Sequence, residues 1–242
     1  MRKIGIIPAR YGSTRFPGKP LVKIFGKPMI QHVYERASES KLDFVFVATD
    51  NQEIYSCVQQ FGGNVVITSS EHPSGTDRCG EAAQLIGAEN ADIIINIQGD
   101  EPFIQSEQID NLIDLFKNHE VDIATLVKLI DSLDDANNPN KVKVVFSSDH
   151  KALYFSRSPI PYPRENVEAF YHKHLGIYAY RYSVLQQLII LPVSSLEKIE
   201  KLEQLRWLES HFSIYVSITH HESIAIDTPE DLLNIEHLNH KI

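Results

Sequence analysis

Short apolar runs alternate with helix-periodic segments over the first half of the chain, and closely spaced strand patterns take over beyond residue 117; together these predict an α/β domain with a mainly parallel sheet and a β-hairpin insert. The 242-residue length sits near the upper end for one domain, and 43% hydrophobic residues fill a sizeable core, so the expectation is a single domain over 1–242 with a smaller lobe.

The first strands fall at 4–8, 44–48, 65–68 and 93–97, each an apolar run of the length a buried strand needs. Helices fill the gaps. Pro28 presets the first turn of one, with Met29, Ile30, Val33 and Ala37 at helical spacing. Asp50 or Asn51 caps the next, which ends at Gly62-Gly63, and Ser74-Gly75 precedes a third over 76–86. A fourth spans 108–117. Strands follow at 123–129, 142–147 and 152–156, the last two joined by a Ser148-Asp149-His150-Lys151 turn as the hairpin insert. Residues 174–180 form a further strand, and 196–210 one charged amphipathic helix with Leu or Ile at 196, 199, 202 and 205. In that helix a Glu197 and Lys201 pair adds ~0.3–0.5 kcal/mol. A strand at 214–218 and a helix at 229–238, opened by Asp227-Thr228-Pro229-Glu230, complete the chain.

A net charge of −9 without a Lys/Arg-rich run argues against a nucleic-acid binder, whose phosphate contacts need a basic face. No apolar run reaches the roughly 18 residues of a membrane span, and residues 1–9 are too short for a signal peptide, so a cytoplasmic protein is expected. Cys57 and Cys79, far apart and without a C-x-x-C pattern, read as reduced thiols.

The chemistry begins where the first strand runs into a Gly/Pro loop carrying Arg10, Arg15 and Lys19. Cations and close backbone approach at Gly12 and Gly18 suit a polyphosphate. Five residues separate those glycines and Pro20 follows Lys19, so this is neither a Walker A loop nor a G-x-G-x-x-G dinucleotide turn. With no metal-binding hydroxyl after the lysine, the metal needs carboxylates from elsewhere. Asp100, just past the apolar run 93–97, stands where open α/β sheets bind ligands, and reads either as a magnesium ligand or as a turn or cap residue. Asp227 alone reads as a helix cap; taken with Asp100 and the basic loop it becomes a second metal carboxylate. Ser74 and Arg78, entering a helix, either hold part of a nucleotide or simply cap it. Arg157, His172, His174 and Tyr178 suit a hydroxylated acid, and His172-x-His174 and His220-His221 lack further zinc ligands.

The 7–21 loop, Ala48-Thr49-Asp50, Ser74-Gly75-Thr76-Asp77-Arg78, Asn96-Ile97-Gln98-Gly99-Asp100-Glu101-Pro102, Tyr154-Phe155-Ser156-Arg157, His174-Leu175-Gly176-Ile177-Tyr178, Leu202-Glu203-Gln204-Leu205-Arg206 and Asp227-Thr228-Pro229-Glu230-Asp231 occur in this order. The set closely resembles the 3-deoxy-manno-octulosonate (Kdo) cytidylyltransferase, or CMP-Kdo synthetase, family over nearly the whole chain. The resemblance implies a nucleotidyltransferase-type three-layer sandwich, usually a homodimer, with 131–180 as a sugar-binding and dimerisation insert. It implies magnesium-dependent transfer of CMP from CTP to Kdo, releasing pyrophosphate, for lipopolysaccharide biosynthesis.

By the same resemblance, Arg10 and Lys19 are catalytic and hold the triphosphate together with Pro8, Ala9 and Arg15. Ser74 and Arg78 lie near cytidine, and Gln98 at the nucleotide–sugar junction. Asp100 and Asp227 are catalytic metal ligands. Arg157, His174, Tyr178, Glu203 and Gln204 form the sugar site, in which an Arg or a His neutralises the Kdo carboxylate. The 162–171 stretch is shorter than in many members, which makes 8-amino-Kdo an alternative substrate and a sialic acid a weaker one. A CTP-binding regulatory module without turnover is the alternative of another class; intact Asp100 and Asp227 speak against it.

Overall fold

Residues 4–7 are covered on both faces, which is why this run contains no polar position. In the computed structural model, which describes residues 1–12, 16–165, 169–222 and 224–238, they belong to β1 (Lys3–Ala9). A 3-10 turn (Lys19–Leu21) and a two-stranded ribbon, β2 (Lys23–Ile24) and β3 (Lys27–Pro28), lead to α1 (Met29–Ser38). The alternation continues with β4 (Phe44–Thr49), α2 (Gln52–Gln60), β5 (Asn64–Ile67), α3 (Gly75–Leu85), β6 (Ile93–Asn96) and α4 (Ser106–Leu115). After β7 (Ile123–Leu129) and α5 (Leu133–Asn137) comes the hairpin of β8 (Lys143–Phe146) and β9 (Ala152–Ser156). The chain returns through β10 (His172–Arg181), α6 (Tyr182–Leu188), α7 (Ser195–Glu200), α8 (Gln204–Glu209), β11 (Ile214–Ile218) and α9 (Pro229–Leu238).

The sheet runs β11-β7-β10-β6-β1-β4-β5, with β8 attached to β10 and β9 to β8. β1 is parallel to β4 and β6, β4 to β5, and β7 to β11, whereas β10 lies antiparallel between β6 and β7. Ile30, Val33, Ile54, Val58, Ile109 and Leu112 of α1, α2 and α4 cluster with Ile7, Val47 and Ile95 on one face. Cys79 and Ala82 of α3, Leu185 of α6 and Trp207 of α8 cluster with Ile4, Ile6 and Ile94 on the other. The result is the three-layer α/β sandwich with a mainly parallel mixed sheet. No helix among the described residues is long and apolar enough to cross a membrane.

Several local expectations change. Asn51, not Asp50, caps α2: its Oδ1 accepts from the Glu53 and Ile54 amides at 2.8 and 3.0 Å, while Asp50 pairs with Arg78. The single helix expected over 196–210 is two, because Lys201 takes the left-handed conformation (φ 54°) and ends α7. Glu197 does not serve Lys201. It closes a capping box with Ser194 and receives the Arg206 guanidinium, 2.6 Å from its Oε1 and 2.7 Å from its Oε2. The fourth helix starts at Ser106, and α5, α6 and the β2–β3 ribbon are additional elements.

The entry of β1 beside β6 is fixed by Asp92, whose side chain is 2% exposed. Its carboxylate accepts from the Arg2 amide at 2.8 Å, Arg2 Nε at 2.9 Å and the Glu89 amide at 2.9 Å. Burial opposes ionisation, but these donors outweigh it and hold the Asp92 pKa below the usual carboxylate range. Asp92→Ala is expected to lower the unfolding free energy by about 2 kcal/mol at pH 7, measured by urea denaturation. Because the folded-state pKa is the lower one, the contribution is complete above the unfolded value and is lost as pH falls through the folded value, so the gap between native protein and variant closes in acid.

Candidate active site

The carboxyl ends of β1 and β6, the 3-10 turn, the start of α3 and Asp227 enclose a cleft of about 420 Å³. Ligands of open α/β sheets bind at this edge. Pro8, Ala9, Arg10, Lys19, Ser74, Arg78, Gln98, Asp100 and Asp227 line it, so the structure brings together every expected nucleotide and metal residue that it describes. Arg15 lies outside the described residues.

Lys19 reaches the cleft because Gly18 takes a left-handed φ of 70° ahead of the 3-10 turn, and its amide donates to Tyr11 O at 3.0 Å, closing the loop. The Lys19 ammonium then donates to Asp100 Oδ2 at 2.7 Å and to Asp227 Oδ1 at 3.1 Å. Asp100 is placed by Gly99: a Cβ there would stand 2.7 Å from Pro8 O, so only glycine lets the Gln98-Gly99-Asp100 turn lie against the end of β1. Asp227 is brought alongside by the Ile226 amide, which donates to Asp100 O at 2.9 Å. The start of α9 is capped by others: Asp231 Oδ2 accepts from the Asp227 and Thr228 amides at 3.0 and 2.9 Å, and the Asp231 amide donates to Thr228 Oγ1. Asp227 therefore turns to the cleft rather than capping the helix.

Two carboxylates that meet one ammonium converge on one point, and hard oxygen donors of this kind fit a magnesium ion completed by phosphate oxygens and water. No group of three or more His, Cys, Asp or Glu able to hold a metal occurs among the described residues. Arg10 is exposed and makes no salt bridge among the described residues, leaving its fork available to phosphate.

The wall beside α3 is different. Arg78, 4% exposed, spends its guanidinium on Asp50 Oδ2 at 2.8 Å, Thr68 Oγ1 at 2.6 Å and Ser69 O at 3.1 Å. It borders the cleft as part of its frame. Ser74 Oγ lies 2.6 Å from Asp77 Oδ2 and 2.9 Å from Glu203 Oε1, while Thr76 donates to Glu203 Oε2 at 2.6 Å. Burial raises the Glu203 pKa, and the hydroxyls of Thr76 and Ser74 pull it back only in part. Glu203 reaches this place because the break after α7 delivers it to the start of α8.

Of the expected sugar residues, Tyr178, Glu203 and Gln204 are buried or half-buried. Gln98 links the cleft to β10 by donating to Gly176 O at 2.7 Å, within the bulge between Leu175 and Tyr178. The His174 ring packs edge-on against Phe155, its Nε2 lies 3.0 Å from Thr125 Oγ1, and burial pushes its pKa down to about 3. Burial thus works against the neutralising charge expected of His174. Nor does the structure bring Arg157 to the cleft. Its Nε donates to Glu200 O at 2.7 Å and its NH1 to Pro139 O at 2.9 Å, which fastens the hairpin insert to the end of α7. His72, a cleft residue the sequence reading passed over, lies with its Nε2 2.5 Å from Glu81 Oε2; its place two residues before Ser74 is the signal that was available.

A family model described as cytidylyltransferase matches residues 4–232. A 3-deoxy-manno-octulosonate cytidylyltransferase of Thermodesulfovibrio yellowstonii is 54% identical over 244 residues, covering 96% of each chain. An 8-amino-3,8-dideoxy-manno-octulosonate cytidylyltransferase of Shewanella sp. ANA-3 is 50% identical over 234 residues, again covering 96% of each. Among solved structures, a CMP:2-keto-3-deoxy-manno-octonic acid synthetase complexed with CTP superposes with a TM-score of 0.94 at 44% identity, covering 100% of this chain and 99% of that one.

The Lys19 ammonium holds the place between the carboxylates. Lys19→Met is expected to tighten magnesium binding to the nucleotide-free protein by about tenfold, measured by titration calorimetry, because the competing cation is removed. Unchanged affinity would mean that the carboxylate pair is not where magnesium binds.

Proposed function

The chain belongs to the cytidylyltransferase family, and we propose that it transfers CMP from CTP to Kdo, forming CMP-Kdo and pyrophosphate for lipopolysaccharide biosynthesis. The observation that carries this reading is the convergence of Asp100 and Asp227 on the Lys19 ammonium in a cleft that Arg10 also lines. A polyanion draws Lys19 away from the carboxylates, and each partner then has a counter-charge: phosphate for the lysine, a divalent cation for the aspartates.

In the proposed reaction the anomeric oxygen of Kdo forms a bond to the α-phosphorus of CTP, the bond from that phosphorus to the bridging oxygen breaks, its electron pair leaves with pyrophosphate, and the sugar hydroxyl gives its proton to water. Arg10, Arg15 and Lys19 bind the departing phosphates. Ser74 and Arg78 border the nucleoside, and Gln98, fixed to the β10 bulge, orients the junction between nucleotide and sugar. Magnesium, held by Asp100 and Asp227, supplies charge neutralisation at the phosphates when bound. His174, Tyr178, Glu203 and Gln204 shape and hydrogen-bond the sugar side, and Arg157 acts through the loop it fastens. The protein supplies positioning and electrostatics, and no side chain serves as a nucleophile.

The Shewanella relative, 50% identical, favours 8-amino-Kdo as the second substrate reading, and a sialic acid stands behind both. We further propose a cytoplasmic homodimer whose interface lies on the 131–180 insert, where Leu153, Tyr162 and Phe170 are exposed.

Pyrophosphate release from CTP and magnesium, measured with Kdo, 8-amino-Kdo and a sialic acid and repeated with other nucleoside triphosphates and without metal, is expected with Kdo and CTP only when magnesium is present. Release with another sugar moves the substrate assignment; CTP binding without release for any sugar supports the regulatory module instead. Asp100→Asn is expected to lower turnover by about 10²–10³-fold at saturating magnesium with an unchanged melting curve.

A further inference from the structure

The two walls of the cleft differ in charge. One carries Arg10 and Lys19. The other, at the start of α3, carries Ser74 between the carboxylates of Asp77 and Glu203, which repel phosphate and leave this wall to the uncharged part of a nucleotide. Pro8, Ala9 and Pro73 add apolar surface for a flat ring.

His72 lines the cleft on this second side, with its side chain 19% exposed. Its Nε2 lies 2.5 Å from Glu81 Oε2, and the same oxygen accepts the Ser69 amide at 2.8 Å. Burial disfavours the Glu81 charge, but His72 and the Ser69 amide outweigh it and keep the carboxyl ionised. An ionised carboxylate only accepts, so Nε2 must carry the proton that bridges them. In the neutral ring that leaves Nδ1 as an acceptor. Nδ1 has no hydrogen-bond partner among the described residues and is not one of the sealed buried polar atoms, and the ring that carries it lines the cleft.

We propose that His72, held by Glu81 as the Nε2–H tautomer, accepts a hydrogen bond at Nδ1 from the 4-amino group of cytosine and thereby selects CTP over UTP. Cytosine presents a donor at position 4 and uracil an acceptor, so a fixed acceptor welcomes the first and sets two lone pairs against each other with the second. Glu81 touches no ligand in this arrangement; it is a positioning residue that sets which ring nitrogen carries the proton. The proposal rests on the nucleotide reading above but not on turnover.

The test is equilibrium binding of CTP, UTP and dCTP by titration calorimetry, with magnesium, without sugar, at pH 9. It uses the native protein, His72→Ala, His72→Phe and Glu81→Ala, each checked by thermal melting. His72→Ala is expected to lower the CTP:UTP affinity ratio by about tenfold with the CTP:dCTP ratio unchanged. Glu81→Ala, which keeps the ring and frees its tautomer, is expected to shift the CTP:UTP ratio in the same direction by less; His72→Phe, which refills the space, keeps the test open should the alanine variant fail to fold. An unchanged CTP:UTP ratio in a folded His72 variant overturns the proposal, as does a change confined to CTP:dCTP, which would place the imidazole on the ribose. Selective CTP binding by a native protein that releases no pyrophosphate would end the transferase reading and leave this one standing.

Discussion

One ammonium holds the site together. Lys19 joins Asp100, 81 positions away, and Asp227, 208 positions away, so the loop after the first strand, the end of β6 and the start of the last helix meet at a single cation. Each neighbouring feature serves that meeting. Gly18 turns the loop inward, Gly99 lets the Asp100 turn lie against Pro8, and the Ile226 amide ties the C-terminal segment to Asp100. Two carboxylates this close repel one another unless a cation lies between them. Here the chain's own Lys19 is that cation.

Around this centre charge is sorted by wall. The basic loop carries Arg10 and Lys19, whereas the α3 wall combines hydroxyls, a half-buried Glu203 and a histidine held by a glutamate. The sorting needs the break in the 195–209 region, because a continuous helix would not place Glu203 at the head of α8 beside Ser74. Arg157 braces that break by binding the carbonyl of Glu200.

Much of this was legible because the signals were local. Buried strands announce themselves as unbroken apolar runs, and β1, β4 and β6 all do; a basic loop directly after such a strand, and an aspartate directly after another, mark one edge of a parallel sheet. What stayed hidden depended on partners far along the chain. Lys201 looks like a helix residue until Glu197 turns to Arg206, and Asp50 looks like a cap until Arg78 takes its carboxylate. His174 looks chargeable until Phe155 and Thr125 enclose it. The short α6 was readable in principle, since Tyr182, Val184, Leu185 and Leu188 share a buried side, but it follows β10 without a loop to announce it.

The antiparallel seat of β10 between β6 and β7 bears on how the chain is made. Both neighbours emerge well before residues 172–181, yet they do not pair with each other in the finished sheet. Until that segment leaves the ribosome β7 has no partner in the sheet, since both of its neighbours, β10 and β11, lie later in the chain, and the β6 edge stays open with unsatisfied amides and carbonyls. Completion comes late, because β10 must add to the β6 border before β7 and β11 have an edge to join. The half-made chain is therefore the form most exposed to misassembly and to chaperones.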